Sequence, residues 1–299
     1  MKVGLILPMG DELQPGVPQR WAEIRALAVA AETAGLDSVW VYDHLLSGGP
    51  DEAAESPWEA WTLLTALAGA TDRVRLGALV LCAAFRDPGV LARMADTFQE
   101  ISGDRLVLGL GCGWHRPEFD AFGLAFDERI DRFAEQLDIV AAMLRDGRST
   151  SDGRYYRTAS APVRAREGRV APELLVAARR PRMMRLTAAH ADAWNIAWYG
   201  VPGPAYREAA ADLAAACASV GRDLATLRTT VGFRIAVSGS AAEQTRVVQG
   251  GAEAVAAAIA AWEAEGVDEL VCWPEPNNQS GLELLVDGLE RHRAAASGA

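Results

Sequence analysis

Residues Ser38 to Leu46 read Ser-Val-Trp-Val-Tyr-Asp-His-Leu-Leu. Val39 to Tyr42 is an apolar run of strand type that stops abruptly at an acidic residue and a histidine. In a barrel of parallel strands, side chains that do chemistry emerge at the C-terminal strand ends. His44, one of only four histidines in the chain, directly follows such a run. The fold turns on whether similar strands surround this one and whether their ends carry groups that can share a site with it.

Outward from this stretch, apolar runs and helical patterns alternate. Val3 to Pro8 is a short buried-strand run stopped by proline. Arg20 to Ala34 has helical spacing, with Trp21, Ile24, Leu27, Ala28 and Ala31 on one face and Gly35 as its C-cap. Ser56-Pro57 offers an N-cap and a first-turn proline for a helix through Ala70. Val74 to Leu81 reads as a third strand and Pro88 to Ile101 as its helix. Arg105 to Leu110 runs into Gly111-Cys112-Gly113, and a longer helix spans about Asp127 to Leu144.

The second half repeats the rhythm. Strands at Glu173 to Ala177, Asp192 to Ala197, Leu227 to Val237 and Glu269 to Trp273 are each followed by a helical pattern, starting at Pro181, Gly203, about Gly250 and Gly281. Near-continuous apolar strands alternating with helices mark a parallel sheet covered on both faces. The expected fold is α/β, a single (β/α)8 TIM barrel over residues 1–299. The exception is about 145–172, rich in Arg, Ser, Gly and Pro. Too long for an ordinary connection, it reads as an irregular insertion after the fourth helix, a functional loop over one barrel end.

Composition narrows the function. Half of the residues are hydrophobic, enough for a large core, and the net charge of −11 argues against nucleic acid and anionic membrane surfaces as partners. Lys2 is the only lysine; the other 28 of 29 basic residues are arginine, a pattern of GC-rich coding that lowers the weight of any single arginine. Cys82, Cys112, Cys217 and Cys272 lack CxxC spacing and read as reduced thiols of a cytoplasmic protein. No run of 18 apolar residues and no cationic-then-apolar leader occurs.

The strand ends narrow it further. They carry Pro8-Met9-Gly10, Asp43-His44, Cys82 to Arg86, Gly111 to His115, Ala178-Arg179-Arg180, Trp198-Tyr199 and Trp273-Pro274-Glu275. That mouth suits a planar ring with an anionic tail. A metal site is not expected, for there is no H-x-H, no H-E-x-x-H and no carboxylate cluster at a strand end. No lysine lies at a strand end for a Schiff base, and no G-x-S-x-G elbow is present. What remains is chemistry carried by an organic cofactor, with the protein supplying position and one proton-transfer group. Arg164, Arg166, Arg169, Arg179, Arg180, Arg182 and Arg185 crowd the region of the fifth strand. They are read either as a solvated basic surface or as an anion site joined to the helix N-terminus at Pro181.

Individual residues carry two readings each. His44 is a satisfied structural histidine or a proton relay to the substrate. Asp43 caps the next turn or touches the ring, and His115 is a loop residue or a substrate contact. Glu118 caps or pairs locally, or serves as a substrate acid. Trp194, Trp198 and Trp273 are core aromatics or a stacking wall. Cys112 is a packing residue or a nucleophile, the first favoured because no base is adjacent in sequence, and Gly111 and Gly113 read as points of close backbone approach to a ring or phosphate.

Together these stretches resemble the luciferase-like monooxygenase superfamily, and in particular its coenzyme F420 (deazaflavin)-dependent oxidoreductase branch. Ala30 to Leu45 is similar to the family's opening helix–strand signature, and Arg73 to Gly77 through Phe85-Arg86-Asp87-Pro88 to its third strand and helix start. Arg105 to Gly113 with Trp114 and Glu118, and then Asp192 to Asn195, follow in order and spacing. The resemblance runs from Val3 to about Val237 and more weakly beyond.

The resemblance implies an F420-dependent oxidoreductase that moves a hydride between cofactor and organic substrate in the barrel mouth. Asp43 and His44 fall on the pair lining the ring near its reactive carbon, and Asp-His-Leu here favours deazaflavin over the Glu-His-His more usual with FMN. Leu79-Val80 falls where many members carry a non-prolyl cis peptide against the ring, and Cys112, Gly113 and Trp114 on the loop beside it. Ala177, Ala178, Arg179 and Arg180 fall on the phosphate loop, commonly Gly-Gly. Trp114 stands where sugar-phosphate-oxidising members carry a glutamate proton donor, which points to a more apolar or aromatic substrate. Catalytic roles are thus expected for His44 and Trp114. An FMN-dependent monooxygenase fed by a partner reductase and a non-catalytic flavin-binding relative are the alternatives, and a homodimer is implied.

Overall fold

The computed structural model describes residues 1–10, 19–46, 56–164, 168–237 and 246–297. Its first half runs β1 (Lys2–Ile6), α1 (Trp21–Thr33), β2 (Ser38–Val41), α2 (Ala60–Ala68), β3 (Arg75–Ala78), β4 (Leu81–Cys82), α3 (Pro88–Ser102) and β5 (Leu106–Gly111). Next come α4 (Arg116–Phe122), α5 (Arg129–Asp146), β6 (Arg148–Asp152), β7 (Arg157–Pro162), β8 (Glu173–Ala177) and α6 (Pro181–His190). The rest is β9 (Ala193–Tyr199), α7 (Pro204–Ser219), β10 (Arg228–Ala236), α8 (Gly251–Ala264), β11 (Glu269–Glu275) and α9 (Gln279–Ser297).

The apolar runs become one parallel sheet in the order β3-β2-β1-β11-β10-β9-β8-β5-β4, closed by pairing of β3 with β5. β3 and β4 share one barrel position, since both pair with β5, through Leu76 opposite Leu106 and Leu81 opposite Leu110. The result is the expected eight-position (β/α)8 barrel. Ser38 to Val41 is buried throughout, as a strand needs when one face meets the interior and the other meets helices. Trp40 fills the interior beside Gly77, where a Cβ would lie 2.2 Å from its ring.

The N-terminal strand ends are tied by charge. Glu173, Arg228, Glu269 and Arg75 begin or lie at the start of four strands, and Arg228 bridges Glu173 at 2.6 Å and Glu269 at 3.1 Å. Arg75 adds a 2.8 Å contact to Glu173, and Ser38 donates its hydroxyl to Glu269. This network closes the floor, so an open site belongs at the other end.

Two local expectations change. α2 begins at Ala60 and is capped by Glu59, whose carboxylate accepts from the N–H groups of Trp61 and Thr62, not by Ser56. A glutamate reaching two backbone donors outcompetes a serine that lies too early in the chain. The arginine-rich stretch after α5 contains an antiparallel hairpin, β6 with β7, whose register shifts between Ser149 and Ser151. Its turn is held by Glu135 of α5, which accepts from the N–H groups of Arg154, Tyr155 and Tyr156. It lies along the flank of α3 and α5, and none of its described residues lines the barrel mouth.

The floor generates a test. Glu269 is 1% exposed, so Arg228→Met leaves it and Glu173 short of a counter-charge. The expected loss is on the order of 3 kcal/mol in urea unfolding, and a loss below about 0.5 kcal/mol, the surface-pair range, contradicts the role given to the network.

Candidate active site

At the C-terminal strand ends lies a cavity of about 960 Å³, at the upper end of the roughly 300–1,000 Å³ usual for small-molecule pockets. β2 contributes Tyr42, Asp43 and His44; the β3–β4 junction contributes Leu79, Val80, Leu81 and Cys82. β5 and its loop supply Gly111 to Trp114, with Glu118 of α4 behind them. Ala177 to Arg179, Asn195 to Trp198 and Trp273 complete the wall with Gly10.

His44 meets Glu118 across the top of β2. Its Nδ1 lies 3.1 Å from Glu118 Oε1, and the same oxygen accepts from the N–H of Leu45 at 2.6 Å and of Leu46 at 3.2 Å. Burial pushes the Glu118 carboxyl up, but the His44 hydrogen bond and the Leu46 and Leu45 N–H groups outweigh it, leaving its pKa below the usual carboxylate range. Glu118 is therefore paired, but with the end of β2 rather than within its own helix turn as a local cap. Trp114 stands edge-on to His44 with ring centroids 5.6 Å apart and is 71% exposed, a rim residue of the mouth. His115 N-caps α4 without a side-chain cap bond and is not among the lining residues.

Asp43 points its carboxylate back into the wall. Its Oδ2 accepts from the Cys82 N–H at 2.8 Å and from Arg86 at 2.6 Å, while Oδ1 takes a second guanidinium contact at 3.1 Å. Arg86 also reaches Glu59, the cap of α2. Burial pushes the Asp43 carboxyl up against the pull of Arg86 and the Cys82 N–H; desolvation likewise opposes the Arg86 charge, but its carboxylate partners raise that pKa. Asp43 thus lines the cavity while its charge is spent on holding β2 to β4. Arg86 was visible in the sequence as part of a motif but without a role.

Leu79-Val80 is a non-prolyl cis peptide, where the resemblance placed one. A second non-prolyl cis bond, Ala197-Trp198, faces the same cavity and was not expected. Gly111 and Gly113 were read as room for a ligand, yet the space they leave is filled by protein. A Cβ on Gly111 would lie 2.8 Å from Val80, and one on Gly113, at φ +77°, would lie 2.6 Å from Phe119 and 2.7 Å from Cys82 Sγ. Both glycines let β5 and its loop close against the cis segment and α4. Burial pushes the Cys82 thiol up to about 12 and raises the Cys112 thiol, so both line the wall as neutral groups. Trp273 stacks on Tyr42 at 5.4 Å and 16°, and Trp198 meets Trp273 edge-on at 5.5 Å. Trp194 is instead a fully buried core residue whose indole donates to the Ala178 carbonyl.

The arginine cluster divides. Both Arg179 and Arg180 are exposed, but Arg179 lines the cavity whereas Arg180, expected beside it, does not and N-caps α6 without a side-chain bond. The physical reason is that α6 begins at Pro181, which turns Arg180 out as the chain leaves the strand. Arg169 pairs with Asp96 at 2.8 Å, and the Arg164 N–H donates to that same carboxylate. Arg182 pairs with Asp131, and Arg185 is exposed. Arg166 lies outside the described residues. Among the described residues no group of three or more His, Cys, Asp or Glu side chains could hold a metal ion, and no helix is long and apolar enough to cross a membrane.

The luciferase-like monooxygenase family model matches residues 1–270. The chain belongs to the luciferase-like monooxygenase family. It is 33% identical over 222 residues to a phthiodiolone/phenolphthiodiolone dimycocerosates ketoreductase of Mycobacterium kansasii, covering 67% of this chain and 59% of that one. It is 36% identical over 178 residues to an F420-dependent glucose-6-phosphate dehydrogenase of Nakamurella multipartita, covering 57% and 50%. The alignments thus span little more than half the length of these relatives. A riboflavin lyase structure with modified FMN and riboflavin shares the fold at TM-score 0.81 and 15% identity, covering 99% of this chain and 92% of that one. The family is one of oxidoreductases and monooxygenases.

The lining would suit a planar ring with an anionic tail. Leu79-Val80 and Trp198 offer apolar walls, and Arg179 has no carboxylate partner among the described residues. An anionic tail would find Arg179 as its counter-charge at that side of the mouth.

Glu118 makes the site's pH behaviour testable. Because its folded pKa is depressed, its stabilisation is fully present above the unfolded carboxylate range and is lost as pH falls through the folded value. The stability gap between the parent protein and Glu118→Gln is expected to close as pH falls below about 4. A gap unchanged down to pH 3 contradicts the assignment.

Proposed function

We propose that this chain is an F420-dependent oxidoreductase acting on a neutral, apolar or aromatic small molecule. The observation that carries the reading is one cavity lined by the Asp43-His44 strand end, the apolar Leu79-Val80 segment beside it and Arg179. Similarity to an F420-dependent dehydrogenase and to a ketoreductase supports it. When bound, a deazaflavin supplies hydride exchange at C5 of its ring.

The protein's own contribution follows from the wall. Leu79, Val80 and Trp198 would hold the ring, with Cys112 and Gly113 at its edge and Ala177, Ala178 and Arg179 at its tail. His44 would hold the proton that accompanies the chemistry, and Trp114 would shield it from solvent at the rim. Asp43 and Glu118 are already paired, so among the described residues the lining offers no free carboxylate to a cationic substrate. Tyr42 and Trp273 form a stacked aromatic face suited to an apolar or planar substrate. A glutamate is absent at position 114, which disfavours a sugar phosphate. A homodimer and, for cofactor recycling, a partner reductase belong to the same proposal.

Equilibrium titration with oxidised F420 and with FMN tests the reading. F420 is expected to bind saturably and at least about tenfold more tightly than FMN, a difference of about 1.4 kcal/mol. Tight FMN binding without F420 binding overturns it and favours a monooxygenase, which oxygen uptake with reduced FMN would register. Binding of either cofactor with no turnover on any alcohol or carbonyl panel favours a non-catalytic relative.

A further inference from the structure

Three donors from the end of β2 converge on one oxygen of Glu118: the Leu45 N–H, the Leu46 N–H and His44 Nδ1. The carboxylate is 3% exposed, while the His44 side chain is 31% exposed and borders the cavity. An ionised carboxylate only accepts hydrogen bonds, so the hydrogen between the two side chains sits on Nδ1. A neutral imidazole carries one ring hydrogen, and which nitrogen holds it is set by the partner of the other.

We propose that Glu118 is a positioning residue that locks His44 in the Nδ1–H tautomer and presents Nε2 to the cavity as a hydrogen-bond acceptor. Nε2 then suits a substrate that offers an O–H at its reacting carbon. In the proton step the O–H bond breaks, its electron pair stays on oxygen, and an Nε2–H bond forms. The resulting imidazolium keeps its Nδ1–H bond to the Glu118 carboxylate, which also offsets the new charge. The substrate class rests on the oxidoreductase reading above; the tautomer assignment does not. A latch that merely fastens Leu45 and Leu46 would use the same oxygen but would leave the histidine free to exchange tautomers.

The test is nitrogen NMR of cofactor-free protein carrying 15N-histidine at mildly alkaline pH, with His44 assigned by the signals lost in His44→Gln. The expected spectrum has a pyrrole-type Nδ1 and a pyridine-type Nε2. In Glu118→Gln the amide oxygen can take the place of Oε1 and keep all three contacts, so the same tautomer is expected. In Glu118→Ala the signals are expected to average between tautomers, and turnover to fall by about 10- to 100-fold with cofactor affinity moving less than about threefold. An Nε2–H tautomer in the parent protein, or an unaltered His44 spectrum in Glu118→Ala, overturns the proposal. Should Glu118→Ala fail to fold, the parent and Glu118→Gln spectra still decide it, since an Nε2–H form in either contradicts it. Failed F420 binding beside an Nδ1–H spectrum would sink the cofactor reading and leave the lock standing.

Discussion

The mouth of this barrel depends on one buried carboxylate. Asp43, 5% exposed, accepts from the Cys82 N–H and from both ends of the Arg86 guanidinium. Those contacts bind the end of β2 to the strand fragment that follows the Leu79-Val80 cis bond, and Arg86 carries the link on to Glu59 at the start of α2. Removing one partner of such a set leaves an uncompensated buried charge, which costs several kcal/mol (~3–5). His44 is the next residue, so the wall that would face a ring and the group that would move a proton share one anchor.

Charge is handled the same way throughout the site. Glu118 is committed to His44 and two backbone donors, and Asp43 to Arg86. Cys82 and Cys112 remain neutral thiols. In a chain with a net charge of −11, the lining is left with an imidazole nitrogen at one side and Arg179 at the other. That polarity runs along the cavity like a ring with a reactive edge and an anionic tail. The floor network of Arg75, Glu173, Arg228 and Glu269 ties the opposite end of the barrel, and the cavity lies at the C-terminal strand ends.

The barrel was legible because its strands are buried on both faces and therefore nearly continuous apolar runs, as at Ser38 to Val41 and Leu106 to Gly111. The cis peptide at Leu79-Val80 was legible through family resemblance, since nothing in those two side chains demands it. Other features were hidden because they depend on partners far apart in sequence. Arg86 looked like one arginine among many until Asp43, 43 residues away, was placed against it. Gly111 and Gly113 read as room for a ligand, when Val80, Cys82 and Phe119 occupy that room. The arginines near β8 read as one cluster, yet Arg169 is paired with Asp96, Arg180 faces solvent and Arg179 alone of these three reaches the cavity. Ser56 signalled a helix start that Glu59 supplies, because sequence shows the cap types but not which one reaches the free N–H groups.

The central claim is the placement of a planar cofactor between the β3–β4 junction and His44. A crystal structure of the complex with oxidised F420 tests this most directly. The account predicts the ring lying against the Leu79-Val80 peptide, its reactive carbon within contact of the His44 side and its tail towards Arg179. A ring stacked instead on Tyr42 and Trp273, with Leu79-Val80 left uncovered, would contradict it.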